Sequence, residues 1–411
     1  MRILTFASLF PNSGDPTHGI FVYQRVAHLG RRRGNESQVI APLPYFPHWL
    51  KIKRWQTNIE VPAQEEIGGL TVHHPRYFLL PRVSMPWQAF SMFLRCLPTV
   101  MAIHRRWRID CLDAHYVYPD GLAAVLLGKY LSVPVMVSAR GTDINLFPTF
   151  QLIRPMICWT LTHGAGLIAV SAALKDEMVG LGADCDKIHV VPNGVDAARF
   201  QPVPSADARR SLGLPADGPL IVAVGTLIPS KGHELAIRAV AQIRRHHRRL
   251  QLYILGEGQQ RTFLEGLVRE CGLSDTVHLM GKRPNAELQL WFSAATVSCL
   301  ISAREGWPNV VIESLACGTP VVATRVGGIP EILHSEEVGL LVDQKIDSVA
   351  EGLTHALTKT WDRKAISVRA RSRTWDEVAA ELEEIFKAQL ESRATSNTKS
   401  AARDMHRFFS L

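Results

Sequence analysis

Short apolar runs recur along the chain, separated by stretches in which apolar residues return every three or four positions. The runs are rich in Val, Ile and Leu without polar alternation, the pattern of strands covered on both faces of a parallel sheet. The stretches between them follow the pattern of helices with one core-facing stripe. Strands are predicted at 3–6, 38–41, 111–114, 135–139, 166–170 and 188–191, then at 220–224, 250–255, 277–280, 296–301, 320–324 and 339–342. Helices fit between most of them, for example at 234–243, 260–271 and 286–293. Such alternation predicts α/β architecture with largely parallel sheets. The expected fold is two Rossmann-like, doubly wound domains facing a central cleft, with ligands beyond the carboxyl ends of the strands.

The expected divisions are an N-terminal domain at 1–193, a Pro/Ala/Asp/Gly-rich linker at 194–219 and a C-terminal domain at 220–375. A helix at 376–391 packing back toward the N-terminal domain and a mobile tail at 392–411 complete the chain. The segment 77–107 is rich in aromatics, Met and Leu but interrupted by Pro81, Arg82, Pro86, Arg95 and Pro98. It reads as a core or domain-packing helix, with membrane-interface contact as the alternative.

Composition narrows the class. A chain of 411 residues is long enough for two cores, and 46% hydrophobic with 20% charged residues is an ordinary globular balance. No apolar run approaches the roughly 18–20 residues of a membrane span. The N-terminus enters a strand-like run without a cleavable secretory pattern. The seven cysteines have no Cys-x-x-Cys spacing and are expected to be reduced, in a cytoplasmic protein. The net charge of +8 is uneven: residues 1–190 hold 19 Lys/Arg against 13 Asp/Glu, with clusters at Arg31–Arg33, Lys51–Arg54 and Arg105–Arg108. Such a surface attracts phosphates or anionic lipid headgroups, or simply solubilises the domain. No nucleic-acid-binding motif accompanies it.

The strongest candidate chemistry lies between Ser302 and Gly318. Glu305 and Glu313 flank an expected helix start, with Pro308 at the first helical position. The amides of Asn309 and Val310 then stand at the positive end of a helix dipole, a ready anion site. Two carboxylates around such a site suit a ligand whose hydroxyls flank a phosphate, as in a nucleotide sugar. Spacing alone proves little, since Glu257 and Glu265 are also eight apart and read as an ordinary helix surface. After the strand at 220–224, Gly225 permits close backbone approach, Thr226 follows, and Lys231 precedes a helix where it would neutralise a diphosphate. Arg283, after the strand at 277–280, is a candidate wall for the base. In the first half His115 ends a strand, and Arg140 and Asp143 follow the next one. His18 and Gly19 end a polar loop after the first strand. These five residues are the expected acceptor side. No His/Cys/Asp cluster suggests a metal, so a reaction needing neither metal nor cofactor is expected.

Taken together, these motifs resemble the retaining GT-B glycosyltransferases of family 4. The resemblance covers nearly the full length and rests on Pro192–Asp196 (Pro-Asn-Gly-Val-Asp), Val-Gly-x-Leu-x-x-x-Lys-Gly at 224–232, the Glu305/Glu313 pair and Gly327-Gly-Ile-Pro-Glu331. The opening Leu-Phe-Pro-Asn and His-Gly-Ile-Phe-Val, with His-Tyr-Val-Tyr-Pro-Asp-Gly at 115–121, look most similar to enzymes of teichuronic acid and exopolysaccharide assembly. The resemblance implies transfer of a hexose from a UDP- or GDP-sugar to a glycan or lipid-linked saccharide; a cytoplasmic location is expected, with or without contact with the inner face of the membrane. It implies Glu305 near the sugar hydroxyls, Glu313 at the ribose, Lys231 with the Asn309 and Val310 amides at the diphosphate, and His115 near the transferred sugar. Thr226 departs from the family, many of whose members carry Arg there. A nucleotide-sugar 2-epimerase and a catalytically weak nucleotide-sugar-binding subunit are the alternatives.

Overall fold

The computed structural model describes residues 1–45, 60–80 and 84–408, with side chains through Arg393. The basic cluster at Lys51, Lys53 and Arg54, together with Pro81 and Arg82, lies outside the described residues. The chain divides into two units, one of Met1–Asn193 with the segment from Trp375 onward, the other of Gly194–Thr374.

The first unit contains β1 (Arg2–Phe6), β2 (Glu36–Ile40), β3 (Leu43–Tyr45), β4 (Gln64–Ile67), β5 (Leu70–His73) and β6 (Arg76–Phe78), then β7 (Cys111–His115), β8 (Val135–Ala139), β9 (Gly166–Ala169) and β10 (Ile188–Val190). Eight of these form one sheet in the order β10-β9-β8-β7-β1-β2-β5-β4, while β3 and β6 form a separate parallel pair. Within the large sheet only the β4–β5 hairpin is antiparallel. The central strands β7 and β8 are buried at every position, as expected for apolar runs packed on both faces.

Strands β3 to β6 are absent from the sequence expectation because they are short and carry many polar residues. The Gly68–Gly69 dipeptide, now seen as the β4–β5 turn with φ of 57° and 83°, is the signal that marks β4 and β5. Helix α1 spans Ile20–Arg31 and α2 spans Gln88–Trp107. Pro98 lies inside α2 and does not end it. Its missing N–H orphans the carbonyl of Leu94, a residue on the exposed side of the helix, where water can serve instead.

The last helix, Trp375–Phe408, begins one residue before the expected 376 and continues beyond 391. Trp375, Val378, Ala379, Leu382 and Phe386 form a stripe buried against Ile3, Leu29, Cys111, Met136 and Ile168 of the first unit. At the edge of this contact Arg32 pairs with Glu383, and His28 meets Asp376 at 2.7 Å.

The second unit has one parallel six-stranded sheet. Its strands are β11 (Leu220–Val224), β12 (Gln251–Leu255), β13 (Val277–Gly281), β14 (Val297–Leu300), β15 (Val321–Thr324) and β16 (Gly339–Val342), in the order β13-β12-β11-β14-β15-β16. The order reverses between β11 and β14, so the loops leaving their carboxyl ends diverge around a switch point. Core layers cover both faces of the sheet. Within 194–219, Val195 and Phe200 enter one of these layers, and a helix forms at Ser205–Ser211.

Candidate active site

In the second unit the loops after β11 and β14 bring two of the expected residues together. Lys231 closes a short 3-10 turn, Pro229–Lys231, and its Nζ lies 2.5 Å from Glu305 Oε1. Ser302 Oγ donates to the same oxygen at 2.7 Å. The loops are joined by backbone as well, the Ala303 N–H donating to the Ser230 carbonyl at 2.8 Å. Lys231 keeps 25% of its side-chain surface exposed and Glu305 10%, so the pair is reachable by a ligand.

Two glycines explain why neighbouring loops fit so closely. A Cβ on Gly327 would lie 1.9 Å from the Glu305 carbonyl oxygen, and one on Gly256 would lie 1.9 Å from that of Gly225. The Gly327–Glu331 segment therefore supports the Glu305 backbone, and Gly256, a weak signal in sequence, supports the loop holding Gly225 and Thr226. Beneath that loop His233 is buried, and burial lowers its pKa to about 4, leaving it neutral. Sequence reasoning passed over His233 because it begins an otherwise ordinary amphipathic helix.

The helix after Glu305 spans Asn309–Ala316. Pro308 is the residue before it, in extended conformation with ψ of 102°, rather than its first helical residue. The correction is one position: proline's fixed φ fits both places, and here the chain turns only after it. Asn309 and Val310 remain in the first turn. Glu313 stands one turn further on, partly exposed yet crowded by protein atoms. Desolvation raises its carboxyl to about 7; Arg199 opposes the rise and Asp196 adds to it. Arg283 is partly buried after β13, and its Nε has no hydrogen-bond partner among the described residues. By contrast, Glu257 and Glu265 are both bridged by Arg261, at 2.8 and 2.9 Å; Glu265 lies on the helix Arg261–Glu270 as expected, but Glu257 sits in the loop after β12 rather than on a helix surface.

In the first unit the expected residues sit in a buried network. Arg25 Nη2 contacts Asp113 Oδ1 at 3.1 Å, and its Nη1 donates to Ser138 Oγ at 2.9 Å. The other Asp113 oxygen lies 3.1 Å from His115 Nε2. Arg140 Nη2 reaches His115 Nδ1 at 2.5 Å, while its Nη1 donates to Asn193 Oδ1 at 3.1 Å. Burial, reinforced by the two guanidinium groups and opposed by Asp113, lowers His115 to about 3. A neutral ring accepting from Arg140 at Nδ1 must donate from Nε2 to Asp113. Burial alone would raise Asp113, but Arg25, His115 and Arg140 outweigh it and hold the carboxyl at about 2.

The His115 imidazole, expected near the transferred sugar, is thus fully buried, with both nitrogens engaged. Asp143 is also fully buried and accepts from the backbone N–H groups of Val117, Arg140 and Gly141, which fixes the turns after β7 and β8. Asp120 accepts from Ser8 N–H and Oγ, and burial raises it to about 8. Sequence reasoning missed Arg25, a buried cation on α1 that no local pattern distinguishes from a surface residue. Gly19 starts α1 and is buried; His18 beside it is partly exposed.

The only cluster with metal-ligand geometry among the described residues is Asp184, Cys185 and Asp186, all exposed. That Asp-x-Asp pair caps a short turn, Asp184 accepting from the Asp186 N–H. All seven cysteines are unpaired. Among the described residues no helix is long and apolar enough to cross a membrane.

A switch point such as that between β11 and β14 is where doubly wound sheets bind their ligands, and comparison with known proteins specifies the family. The family model "Glycosyl transferases group 1" matches residues 205–373, and "Glycosyltransferase Family 4" matches residues 19–199. An uncharacterized glycosyltransferase of Methanocaldococcus jannaschii is 33% identical over 351 residues, covering 81% of this chain and 88% of that protein. The chain belongs to the group 1 glycosyltransferases.

TuaC of Bacillus subtilis (strain 168), named as a teichuronic acid biosynthesis glycosyltransferase, is 27% identical over 86% of this chain and 88% of its own length. A D-inositol 3-phosphate glycosyltransferase of Thermobispora bispora is 31% identical over 80% of this chain and 83% of its own. Sucrose-phosphate synthase of Thermosynechococcus elongatus matches the structure with a TM-score of 0.79 at 21% identity, covering 95% of this chain and 99% of that one. Anabaena HepE in complex with UDP gives 0.72 at 18% identity, covering 94% and 100%. The fold is GT-B.

Proposed function

We propose that the chain is a retaining hexosyltransferase, moving a sugar from a UDP- or GDP-linked donor to a glycan or lipid-linked saccharide in cell-surface polysaccharide synthesis. The observation that carries this reading is the Lys231–Glu305 pair at 2.5 Å, at a switch point and one loop before a helix bearing Glu313. In the proposed complex the diphosphate takes Lys231 and the helix-start amides of Asn309 and Val310. Glu305, released from Lys231, accepts from sugar hydroxyls, and Glu313 accepts from the ribose. Gly225 and Thr226 line the phosphate path, and Arg283 lies against the base. The names of TuaC and of the HepE complex with UDP support the acceptor class and the donor class respectively.

Acceptor recognition is assigned to the first unit, to the loops that carry His18, Gly19, His115, Arg140 and Asp143, with the buried His115, Arg140 and Asp143 positioning those loops rather than touching the acceptor. The bond between the anomeric carbon and the phosphate oxygen breaks as the acceptor hydroxyl bonds to that carbon on the same face. The hydroxyl proton passes to the leaving phosphate oxygen. No protein base is then required, and Lys231 with the helix dipole supplies the positive charge for which other enzymes use a metal ion.

A screen of UDP-, GDP- and ADP-sugars in EDTA is expected to show turnover with one nucleotide class and a product of unchanged anomeric configuration by NMR. An inverted product or a strict need for a divalent ion would overturn those parts of the reading. Release of a free epimer without acceptor would replace it with the epimerase.

The exposed stripe Trp87, Phe90 and Leu94 on the first unit, with Arg95 beside it, supports attachment to an anionic membrane, where a lipid-linked acceptor resides. Flotation with anionic liposomes at low and high salt is the measurement; absence of binding at low salt removes the membrane from the reading.

A further inference from the structure

On the first unit, beyond β1 from the strand that carries His115, one face of β2, β5 and β4 is polar. Gln38 lies in register with Thr71, and His73 with Gln64. The two-residue period of a strand puts these four side chains on one face, while Val39 and Val72 turn to the other, into the core with α1. Strands inside a parallel sheet are ordinarily covered by apolar residues on both faces, so this polar face is a departure. Among the described residues nothing packs over it. The last turns of α2, ending in Arg106 and Trp107, stand beside it and enclose a groove of about 590 Å³. That volume falls within the roughly 300–1,000 Å³ of small-molecule sites.

We propose that this groove binds a neutral saccharide segment, as a second glycan site apart from the transfer chemistry. Two amides, a hydroxyl and an imidazole both donate and accept hydrogen bonds, as sugar hydroxyls do. Trp107 offers the flat apolar surface that a sugar ring needs on its other side. Its Nε1 donates to Glu36 Oε2 at 2.7 Å, which fixes the ring's orientation at the groove wall. Charge selects against an acidic ligand. Among the described residues Arg106 is the one cation in the lining, and it is offset by Glu36 and by Glu66, which accepts from Thr71 Oγ1 at 2.7 Å. Burial, then the neighbouring His74, holds the His73 imidazole below its ordinary pKa, so it adds no charge at neutral pH.

The biological sense of the site rests on the transferase reading: a groove for sugars already laid down would keep a growing glycan attached between transfers. Direct binding requires no turnover, so failure here is distinguishable from failure of that reading. The full-length protein is titrated with cellotriose, maltotriose and chitotriose, and in parallel with inorganic phosphate and an oligoglucuronate, using saturation-transfer NMR. At least one neutral trisaccharide is expected to bind, and Trp107→Ala is expected to weaken it about tenfold. Gln64→Ala, an exposed position whose change leaves the core intact, is expected to weaken it severalfold and decides the matter if Trp107→Ala fails to fold. No neutral trisaccharide bound, affinity unchanged in Gln64→Ala and in a folded Trp107→Ala, or preference for phosphate or the oligoglucuronate would each overturn the proposal.

Discussion

Asp113 in the first unit and Glu305 in the second each face a cation, at 3.1 and 2.5 Å, but in opposite surroundings. Asp113 and its partners Arg25 and His115 are closed to solvent, and the network continues through Arg140 to Asn193. Lys231 and Glu305 keep part of their surface open, and their loops meet by backbone bonds that do not need the ion pair. The same residue types thus do different work. A buried pair holds strand ends in place and is costly to break, because its removal leaves a charge stranded in low dielectric. A half-open pair contributes little to stability and can be given up to a ligand.

Three substitutions test that contrast. Asp113→Ala strands Arg25 and is expected to destabilise the first unit by roughly 3–5 kcal/mol, read as a lowered thermal or urea transition. The sign with pH follows from a carboxyl depressed to about 2: its stabilisation is present above the unfolded value of roughly 3.9 and is lost as pH falls toward 2. A variant as stable as the parent would mean the network is not structural. Lys231→Ala is expected to reduce sugar transfer by roughly 10²–10³ while moving the melting transition by no more than about 1 kcal/mol. Comparable losses of fold and of rate would erase the distinction between the pairs.

Glu313→Gln carries the smallest effect. With its carboxyl near 7, the parent is half protonated at neutral pH, and donor affinity should rise about tenfold between pH 6 and 8 as the acceptor form fills. The Gln variant should show a flat profile. A parent whose nucleotide-sugar affinity is flat over that interval would remove Glu313 from the donor contacts.

The contrast also separates what was legible in the sequence from what was not. The twelve predicted strands all appear, because strands buried on both faces are written as unbroken Val/Ile/Leu runs. Strands β4 and β5 escape that rule because one of their faces is polar, and β3 and β6 because a run of three residues is too short to stand out. Local chemistry was readable where one loop carries it: Glu305, Asn309 and Glu313 lie on one segment, and the Pro308 placement erred by a single residue. The Lys231–Glu305 contact joins residues 74 apart, and only the family resemblance set both at one donor site. The Arg25–Asp113 contact, spanning 88 residues, had no such guide. An arginine on an amphipathic helix reads as solvated, and only packing shows that it points inward. His115 was found for its strand-end position, yet its partners are fixed by side-chain geometry that spacing does not encode.

The helix beginning at Trp375 has a consequence for how the protein is made. The sheet begun by Arg2–Phe6 has one face covered by Val378, Leu382 and Phe386, residues that leave the ribosome after the whole of Gly194–Thr374. The usual order of co-translational folding, amino-terminal domain first, is therefore inverted. The second unit holds every element of its own sheet while the first still waits with apolar surface uncovered, and the first unit to be translated is the last to close.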